Sequence, residues 1–581
     1  MAKNSLEQIR HSLAHLLGAA VLELYPGSKL AIGPAIDDGF YYDIDIVGKI
    51  SDSDLLRIET EMRKILKTWS KFEEIKETEN SAKKNYVGNP YKLELIKELI
   101  AKKEKITSYK SGLFVDLCRG GHVENARDIN SEAFKLSHIA GAYWRGDSDK
   151  PQLTRIYGWA FSSKKELGEH IVMLEEAKKR DHKKLGPELD LFLMDEKVGK
   201  GLPMWTPRGT IIKFELENYT RELEHKYGYE HVSTPYLGAE ELYKTSGHIE
   251  HYSQNMYAPI DMDGDKFYLR PMACPHHIRM YQRKPWSYRD LPIRYAEIAD
   301  YNRYEQSGEL MGLIRVRKFQ LTDGHLFVTP EGLKEEFKRA CEMIIEGMEA
   351  LGFSEIVSYR FSKRDPNNKE KYFPDDKLWD QAESVMKESI DELGIPYVEA
   401  LDEAAFYGPK LDIQSKNVNG KEDTLFTAQM DFLLPQKFDM EYTDINGEKK
   451  RPIMIHRSTI GCLERTFAFM IEHFAGAFPV WLSPVQAIIL PISDKQNERA
   501  EKILNQLKEA RIRAEINSDN ETLGKKIRSA ELQKIPYLLV VGDKEIEAGT
   551  IAIRQRGKGD LGQMKIEEFI KKIMEEIKSK K

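Results

Sequence analysis

The chain has 581 residues, 41% hydrophobic and 31% charged, and its 88 basic and 94 acidic side chains give a formal net charge of −6. This length exceeds a single core and predicts three or four domains of roughly 150 residues each. Four cysteines argue against a disulfide scaffold and favour reduced thiols in a cytosol. The N-terminal MAKNSLEQIRH lacks the apolar core of a signal peptide, and no apolar run approaches membrane-spanning length. We therefore expect a cytoplasmic protein without a membrane partner.

Residues 5–24 form the first predicted helix, and His11 and His15, four residues apart, project from one of its faces. Cys118 and His122 have the same spacing across two glycines, on a predicted turn. One thiol and three imidazoles make a plausible four-ligand zinc set. The alternative is a metal-free hydrolytic pocket in which the same side chains position water and a substrate.

A charged helix is predicted to open at the capping-box spacing of Ser163 and Glu166 and to run to about Lys184. We expect it to link two domains. A helical stretch at 208–227 and a β-branched run ending at Pro235 open the longest region of the chain. Taken alone, these residues predict only a plain helix–strand unit.

Two alternating stretches, PIRYAEIADYN and LIRVRKFQLTD, predict a hairpin around residues 301–325. An arginine such as Arg303 at a strand end can donate two hydrogen bonds to phosphate oxygens. Glu305 can accept a hydrogen bond from an exocyclic amine. No Walker-type phosphate loop occurs in the sequence. On this stretch alone, a solvated hairpin with ordinary surface arginines is the better explanation.

Beyond Pro484 the pattern changes. Strands are predicted at VQAIILPI, RAEIN, YLLVVG and TIAIRQR, with helices at 495–510, at LGKKIRSAEL and at 564–577. This alternation predicts a small α/β sandwich.

The segment HRSTIGCLERTFAFM (456–470) places an arginine four residues after a glycine in an apolar, helix-like run. Here the chain resembles a class II aminoacyl-tRNA synthetase, since RYE around Arg303 is similar to that class's second motif and GCLER around Arg465 to its third. The segments RPMACPHH, LTDGH, AFYGPKLD, AQMDF and MIHR then resemble threonyl-tRNA synthetases, in that order. The N-terminal HSLAHLL, GFYYD, CRGGH and GAYWRGD are also similar to that family.

The resemblance implies an α+β multidomain fold built on the class II antiparallel sheet with helices. It implies an N-terminal α+β editing domain, a linker helix, a catalytic domain and a C-terminal α/β anticodon-binding domain, at residues 1–161, 162–187, 188–482 and 483–581. In this class the stretch at 208–248 is the first motif and lies at the interface of a homodimer. Because many relatives begin with a small ubiquitin-like domain, and no room for one precedes His11, we expect a short form.

The resemblance also assigns a metal site, although spacing alone would favour a buried cysteine and two ordinary histidines. The implied ligands of one zinc per subunit are Cys274, His325 and His456. They leave a coordination position for the amino and hydroxyl groups of threonine. The implied threonine-binding residues are Met272, Asp323, Tyr407 and Gln429.

For ATP, the resemblance implies that Arg303 grips the α-phosphate, Glu305 reads the adenine amine, Arg315 lies across the loop and Arg465 reaches the γ-phosphate. Magnesium would accompany the phosphates. Activation is an in-line attack of the threonine carboxylate on the α-phosphate, to which the protein contributes positioning and positive charge. Arg303 and Arg465 are therefore the predicted catalytic residues.

In bacterial threonyl-tRNA synthetases the N-terminal domain removes serine from mischarged tRNA without needing a metal. The resemblance therefore favours the metal-free pocket, with zinc as the alternative. The implied editing residues are His11, His15, Asp116, Cys118 and His122. The residues implied to read anticodon bases of tRNA(Thr) are Asn520, Glu547 and Arg556.

The predicted function is ATP-dependent activation of threonine and its transfer to tRNA(Thr), with hydrolytic editing of seryl-tRNA(Thr). Four residues depart from the usual family pattern without touching the implied metal or phosphate groups: His276, Leu321, Thr424 and Cys462. Two alternatives are a chain active only as an N-terminal deacylase and a synthetase-like RNA-binding regulator. Both predict the loss of Arg303, Arg465 or a zinc ligand, and all of these residues are present.

Overall fold

The structure is a computed structural model that describes residues 5–147 and 149–580. The chain divides into a small unit, residues 1–175, and a large unit, residues 176–581. Among the described residues, no helix combines the length and the apolar composition needed to cross a membrane.

The small unit contains a five-stranded and a three-stranded antiparallel sheet. Its strands are Lys29–Leu30, Ala35–Ile36, Gly39–Asp45, Glu73–Glu77, Ile106–Ser111, Phe114–Leu117, Phe134–Tyr143 and Gln152–Ala160. Its helices are Leu6–Leu24, Leu55–Leu66, Glu79–Asn85 and Pro90–Ala101. The first helix begins at a capping box between Ser5 and Gln8 and buries its apolar face against the larger sheet.

The predicted linker helix is interrupted. One helix spans Lys164–Arg180, and a second, His182–Glu188, begins after Asp181. The Asp181 carboxylate accepts a hydrogen bond from the Lys183 amide at 2.8 Å, so it caps a new helix start. The prediction of one continuous helix to about Lys184 is therefore wrong at its C-terminal end.

The large unit holds the remaining elements. Its other helices are Pro207–Lys226, Glu240–Ser246, His248–Tyr252, Cys274–Tyr281, Leu333–Ala350, Asp376–Glu392, Leu434–Lys437, Leu463–Phe474, Asn497–Glu509, Leu523–Leu532, Asp543–Ala548 and Ile566–Lys578. Its strands are Phe192–Leu193, Met204–Trp205, Glu230–His231, Leu237–Ala239, Ile260–Met262, Asp265–Leu269, Ile293–Asn302, Lys318–Val328, Val357–Lys363, Tyr397–Leu401, Lys410–Lys416, Glu422–Asp431, Tyr442–Thr443, Lys449–Lys450, Ile453–Cys462, Ala487–Pro491, Ala514–Ile516, Tyr537–Val541, Ile551–Gln555 and Gly559–Met564.

An eight-stranded sheet forms the centre of the large unit, antiparallel except for one parallel pairing at each edge. Strands 293–302 and 318–328 pair antiparallel, so the predicted hairpin is confirmed. Helix Pro207–Lys226 is tied to the sheet by Glu224, which accepts a hydrogen bond from the buried Arg457 at 2.8 Å. The expected antiparallel class II sheet is therefore present.

The C-terminal part of the large unit is built on a separate five-stranded sheet, in which strand 487–491 is second from one edge. Alternate residues of that strand enter two different apolar clusters, one with Ile489 and one with Ile488. Because side chains alternate along a strand, these clusters lie on opposite faces of the sheet. The predicted α/β sandwich is confirmed.

Candidate active site

Strand register in the eight-stranded sheet brings distant residues together. His325 lies opposite His456, and His456 lies opposite Gln429 on its other side. The three residues therefore form a row across neighbouring strands. A cavity opens over this row, and its lining includes Met272, Cys274, Arg303, Glu305, Arg315, Asp323, His325, Tyr407, Gln429, His456 and Arg465. These are the residues that the sequence predicted for metal, threonine and nucleotide binding.

The ligand atoms of Cys274, His325 and His456 lie within 4.8 Å of one another, and all three residues are buried. His456 Nε2 lies 2.8 Å from the Asp431 carboxylate, and His325 Nδ1 lies 2.8 Å from Nδ1 of His277. Each ring therefore uses one nitrogen for an outer partner. Its second nitrogen is left for the centre of the group.

The outer partners also determine which ring nitrogen of each histidine carries the proton. Nε2 of His277 lies 3.0 Å from Glu297, so it donates to that carboxylate and its Nδ1 accepts from His325. Burial alone would raise the pKa of Glu297, but the bonds from His277 and Arg270 lower it to about 2. With the His325 proton on Nδ1, its Nε2 carries the lone pair and is the nitrogen left for the group formed with Cys274 and His456. Asp431 does the same for His456, whose free lone pair is on Nδ1.

The predicted threonine-binding residues border this group. Tyr407 donates its hydroxyl to Gln429 Oε1 at 2.7 Å. Asp323 accepts the hydroxyl of Tyr301, and burial raises the pKa of the Asp323 carboxyl. Tyr301 was not found by sequence reasoning, although its alternation within strand 293–302 placed it on the buried face.

A further histidine near the cavity was also missed. Nε2 of the buried His248 lies 3.2 Å from Sδ of Met272, and its Nδ1 lies 2.7 Å from the Ser246 hydroxyl. Burial lowers the pKa of His248 to about 4. In the sequence His248 precedes His251 by three residues, and this helical spacing was a signal that could have drawn attention to it.

The predicted nucleotide residues follow the cavity toward the hairpin loop. Glu305 pairs with Arg315 at 2.8 Å. Arg465 donates to the carbonyls of Ile314 at 3.0 Å and Thr424 at 2.7 Å. Arg303 stacks over a phenylalanine ring, at 5.0 Å from its centroid, and within the described chain it forms no ion pair with a carboxylate. Its charge is therefore available to an anion.

In the small unit, the ligand atoms of His11, His15, Cys118 and His122 also lie within 4.8 Å of one another. Here they contact each other, since Cys118 Sγ lies 3.5 Å from His11 Nε2 and 3.3 Å from His122 Nε2. The rings of His11 and His122 stack with centroids 4.3 Å apart. Burial lowers the pKa of His122 to about 2 and raises that of Cys118 to about 11.

The cavity beside this cluster contains a buried ion pair. Asp116, a predicted site residue, lies 2.7 Å from Nζ of Lys92, and their side chains are 3% and 2% exposed. Asp116 also accepts the hydroxyl of Tyr42. Lys92 was missed, although a lysine between Tyr91 and Leu93 in an apolar helix was a signal. Like Asp116 and Cys118, it lines the cavity.

The predicted anticodon residues have different surroundings. Asn520 and Glu547 are exposed. The guanidinium of Arg556 instead donates to the carbonyls of Ala477 at 3.0 Å, Phe478 and Lys534. Burial lowers its pKa to about 10. Arg556 would have to break these bonds before it could contact RNA.

Comparison with known families matches three regions. Residues 106–157 match the "Threonyl and Alanyl tRNA synthetase second additional domain". Residues 256–474 match the "tRNA synthetase class II core domain (G, H, P, S and T)", and residues 486–576 match the "Anticodon binding domain".

Relatives that match nearly the whole chain are threonine–tRNA ligases. The chain is 49% identical to the threonine–tRNA ligase of Staphylococcus carnosus, over 99% of this chain and 89% of the relative. It is 50% identical to that of Clostridium botulinum, over 99% and 89% respectively. A solved structure of the RNA binding domain of threonyl-tRNA synthetase from Cryptosporidium parvum has a TM-score of 0.64 at 33% identity, covering 68% of this chain and 98% of that one. A putative threonyl-tRNA synthetase from Aeropyrum pernix has a TM-score of 0.60 at 25% identity, covering 69% and 96%.

These matches confirm the family resemblance, the fold class and the predicted activity. The chain belongs to the threonine–tRNA ligase family and ligates threonine to tRNA at the expense of ATP, with an editing domain on the same chain.

Proposed function

We propose that the cavity of the large unit binds ATP through Arg303, Glu305, Arg315 and Arg465. The carboxylate oxygen of threonine attacks the α-phosphorus, the bond to the bridging oxygen breaks, and pyrophosphate leaves. Arg303 is placed to stabilise the charge that develops on the α-phosphate, because no described carboxylate neutralises it. Magnesium with the phosphates completes the charge balance.

Cys274, His325 and His456 would hold a zinc ion. Their fit rests on the outer partners, since Asp431 and His277 engage one nitrogen of each ring and direct the other lone pair inward. Three protein ligands leave a coordination position open. When bound, zinc would act as a Lewis acid toward the nitrogen of the amino group and the oxygen of the hydroxyl group of threonine.

Asp323 selects the substrate by accepting from the threonine hydroxyl. Valine is nearly isosteric but offers no hydroxyl, so it would leave buried polar groups unpaired. Tyr407, Gln429 and Met272 complete the pocket. Serine lacks only a methyl group, worth about 1–3 kcal/mol, so this site alone rejects it poorly.

The small-unit cluster then hydrolyses the seryl ester on tRNA. We assign this step to His11, His15, Cys118, His122 and Asp116. The family resemblance favours side chains that exchange protons with water and substrate, and Cys118 Sγ lies within 3.5 Å of two imidazoles with which it can share a proton. A structural zinc is the alternative.

The proposed macromolecular partners are tRNA(Thr) and a second copy of this chain. We propose that Asn520 and Glu547, which are exposed, contact anticodon bases. Helix Pro207–Lys226 would contribute to a homodimer interface, since its Phe214 is 55% exposed. A translation enzyme with four unpaired cysteines belongs in the cytoplasm.

Amino-acid-dependent exchange of pyrophosphate into ATP tests the synthetic site. We expect strong exchange with threonine, weaker exchange with serine and none above background with valine. Equal exchange with valine would contradict the role of Asp323 and the metal-binding group.

A further inference from the structure

The nucleotide-binding residues Arg303, Glu305 and Arg315 lie in the loop that joins strands 293–302 and 318–328. This loop, residues 303–317, is named the ATP loop below. Its far end is held by a histidine outside the cavity. His182, the first residue of helix His182–Glu188, has a side chain that is 1% exposed.

Both nitrogens of His182 are engaged. Nδ1 lies 2.6 Å from the Glu472 carboxylate, and Nε2 accepts the backbone N–H of Leu313 at 3.1 Å. Because Nε2 accepts, the ring proton is on Nδ1 and is donated to Glu472. The second oxygen of Glu472 accepts the amide of Val418 at 2.9 Å, so the carboxylate is itself held in place.

The loop is shaped to receive this ring. Gly312 has a φ of +48°, and a Cβ on it would lie 2.0 Å from Nε2 of His182. Any side chain at this position would therefore push the histidine away from Leu313. The backbone at Leu313 can meet the imidazole only because residue 312 is glycine.

Glu472 and Arg465 lie on the same helix, Leu463–Phe474. Arg465 donates directly to the carbonyl of Ile314 at 3.0 Å, while Glu472 acts on the neighbouring Leu313 through His182. One helix thus holds two consecutive residues of the ATP loop. Asp181, His182 and Glu472 also form a group of metal-binding residue types, but the 2.6 Å contact between ring and carboxylate is a hydrogen bond that leaves no space for an ion.

We propose that His182 is a positioning residue for ATP binding, which sets the ATP loop against the helix that carries Arg465. The proposal rests on the proposed nucleotide role of Arg303, Glu305 and Arg315. His182 itself touches neither substrate nor reacting atoms. Its loss should therefore weaken ATP binding and leave threonine binding unchanged.

Two variants of similar size separate the two bonds. The amide of His182→Gln reaches as far as Nε2 and can still accept from Leu313, whereas that of His182→Asn reaches only as far as Nδ1 and can still contact Glu472. In pyrophosphate exchange we expect His182→Asn and His182→Ala to raise the KM for ATP by about 10- to 100-fold, with the KM for threonine within twofold. His182→Gln should stay within about threefold of the unmodified enzyme, since it keeps the bond to the loop.

The control is His473→Ala, which removes the half-buried histidine next to Glu472, whose ring packs against Phe353 and Phe474 instead of the ATP loop. We expect no change in either KM. Equal values of the KM for ATP in the Asn and Gln variants, or an equal rise in His473→Ala, would overturn the proposal. Active-site titration restricts each comparison to folded enzyme.

Hydrogen exchange without ATP gives an independent measurement. Peptides covering residues 303–317 should exchange faster in His182→Asn than in His182→Gln, and unchanged exchange would overturn the proposal. Arg303→Ala serves as the reference for the nucleotide assignment. If Arg303→Ala leaves the KM for ATP unchanged while His182→Asn still loosens the loop, the nucleotide assignment fails and the positioning of the loop by His182 stands.

Discussion

The two histidine–cysteine clusters use the same residue types in opposite ways. In the large unit, Asp431 and the pair His277–Glu297 engage one nitrogen of His456 and of His325, the proposed metal ligands, and leave the second nitrogen of each ring free of these bonds. In the small unit the side chains bond to one another. Among the described residues, the hydroxyl that contacts His122 is that of Ser12, at 3.2 Å.

We infer from this difference that outer partners decide what such a cluster can do. A carboxylate accepts only, so it fixes the proton on the facing nitrogen and leaves the other free for a metal. A serine hydroxyl can donate or accept, so His122 can carry its proton on either nitrogen. The first arrangement suits a permanent ion, and the second suits a group that gains and loses protons during hydrolysis.

The largest expected effect separates hydrolysis from synthesis. His11→Ala, His15→Ala or Cys118→Ala should slow the hydrolysis of seryl-tRNA(Thr) by about 10²- to 10⁴-fold, because a proton-transferring group is lost. Threonine charging should stay near normal, while seryl-tRNA(Thr) accumulates in charging assays with serine. The exposed His138 provides a control as His138→Ala. Variants that clear seryl-tRNA as fast as the unmodified enzyme would show that this cluster is not the editing site.

A substitution in the large unit should have the opposite effect, a loss of threonine activation with editing retained. Arg303→Ala should lower threonine-dependent pyrophosphate exchange by about 10²- to 10³-fold, since a positive group aimed at developing charge is removed. Hydrolysis of preformed seryl-tRNA(Thr) should be unaffected. Arg289→Ala, which removes an exposed arginine of the same unit, is the matched control. Near-normal exchange in folded Arg303→Ala would refute the nucleotide assignment.

The metal content tests the contrast directly. We expect one zinc per chain by elemental analysis, lost in Cys274→Ala together with threonine binding and retained in Cys118→Ala. Asp431→Asn should lower metal affinity by about 10- to 100-fold. Oδ1 of Asp431 already accepts the amides of Leu433 and Leu434 at 2.8 and 2.9 Å, so an asparagine would turn its NH2 toward His456. Two zinc ions per chain would instead support a metal in the small unit.

The smallest effect is expected at the equivalent outer partner in the small unit. Ser12→Ala removes a neutral hydrogen bond to His122, worth about 0.5–1.5 kcal/mol, together with the bond that the hydroxyl accepts from the Val123 amide, and should slow seryl-tRNA hydrolysis by only about two- to tenfold. The rate at which the variant hydrolyses preformed seryl-tRNA(Thr) measures this effect. A loss as large as that in His11→Ala would mean that Ser12 fixes the ring as firmly as Asp431 fixes His456, and the contrast between the clusters would fail.

Local patterns in the sequence determined much of the architecture. Alternation around residues 293–328 predicted the hairpin, helical spacing predicted helix Pro207–Lys226, and the strand–helix alternation after Pro484 predicted the C-terminal sandwich. Their short-range periodicity requires no knowledge of distant contacts. Motif resemblance then identified the family and named the candidate ligands, which spacing alone did not.

Tertiary structure decided the surroundings of those residues. Cys274, His325 and His456 become neighbours only through the register of strands far apart in the chain, and the same register supplies Asp431. The role of His182 depends on a glutamate 290 residues away in the chain. Such contacts leave no periodic trace in the sequence, because a buried hydrogen bond requires only that two complementary groups meet in the folded chain.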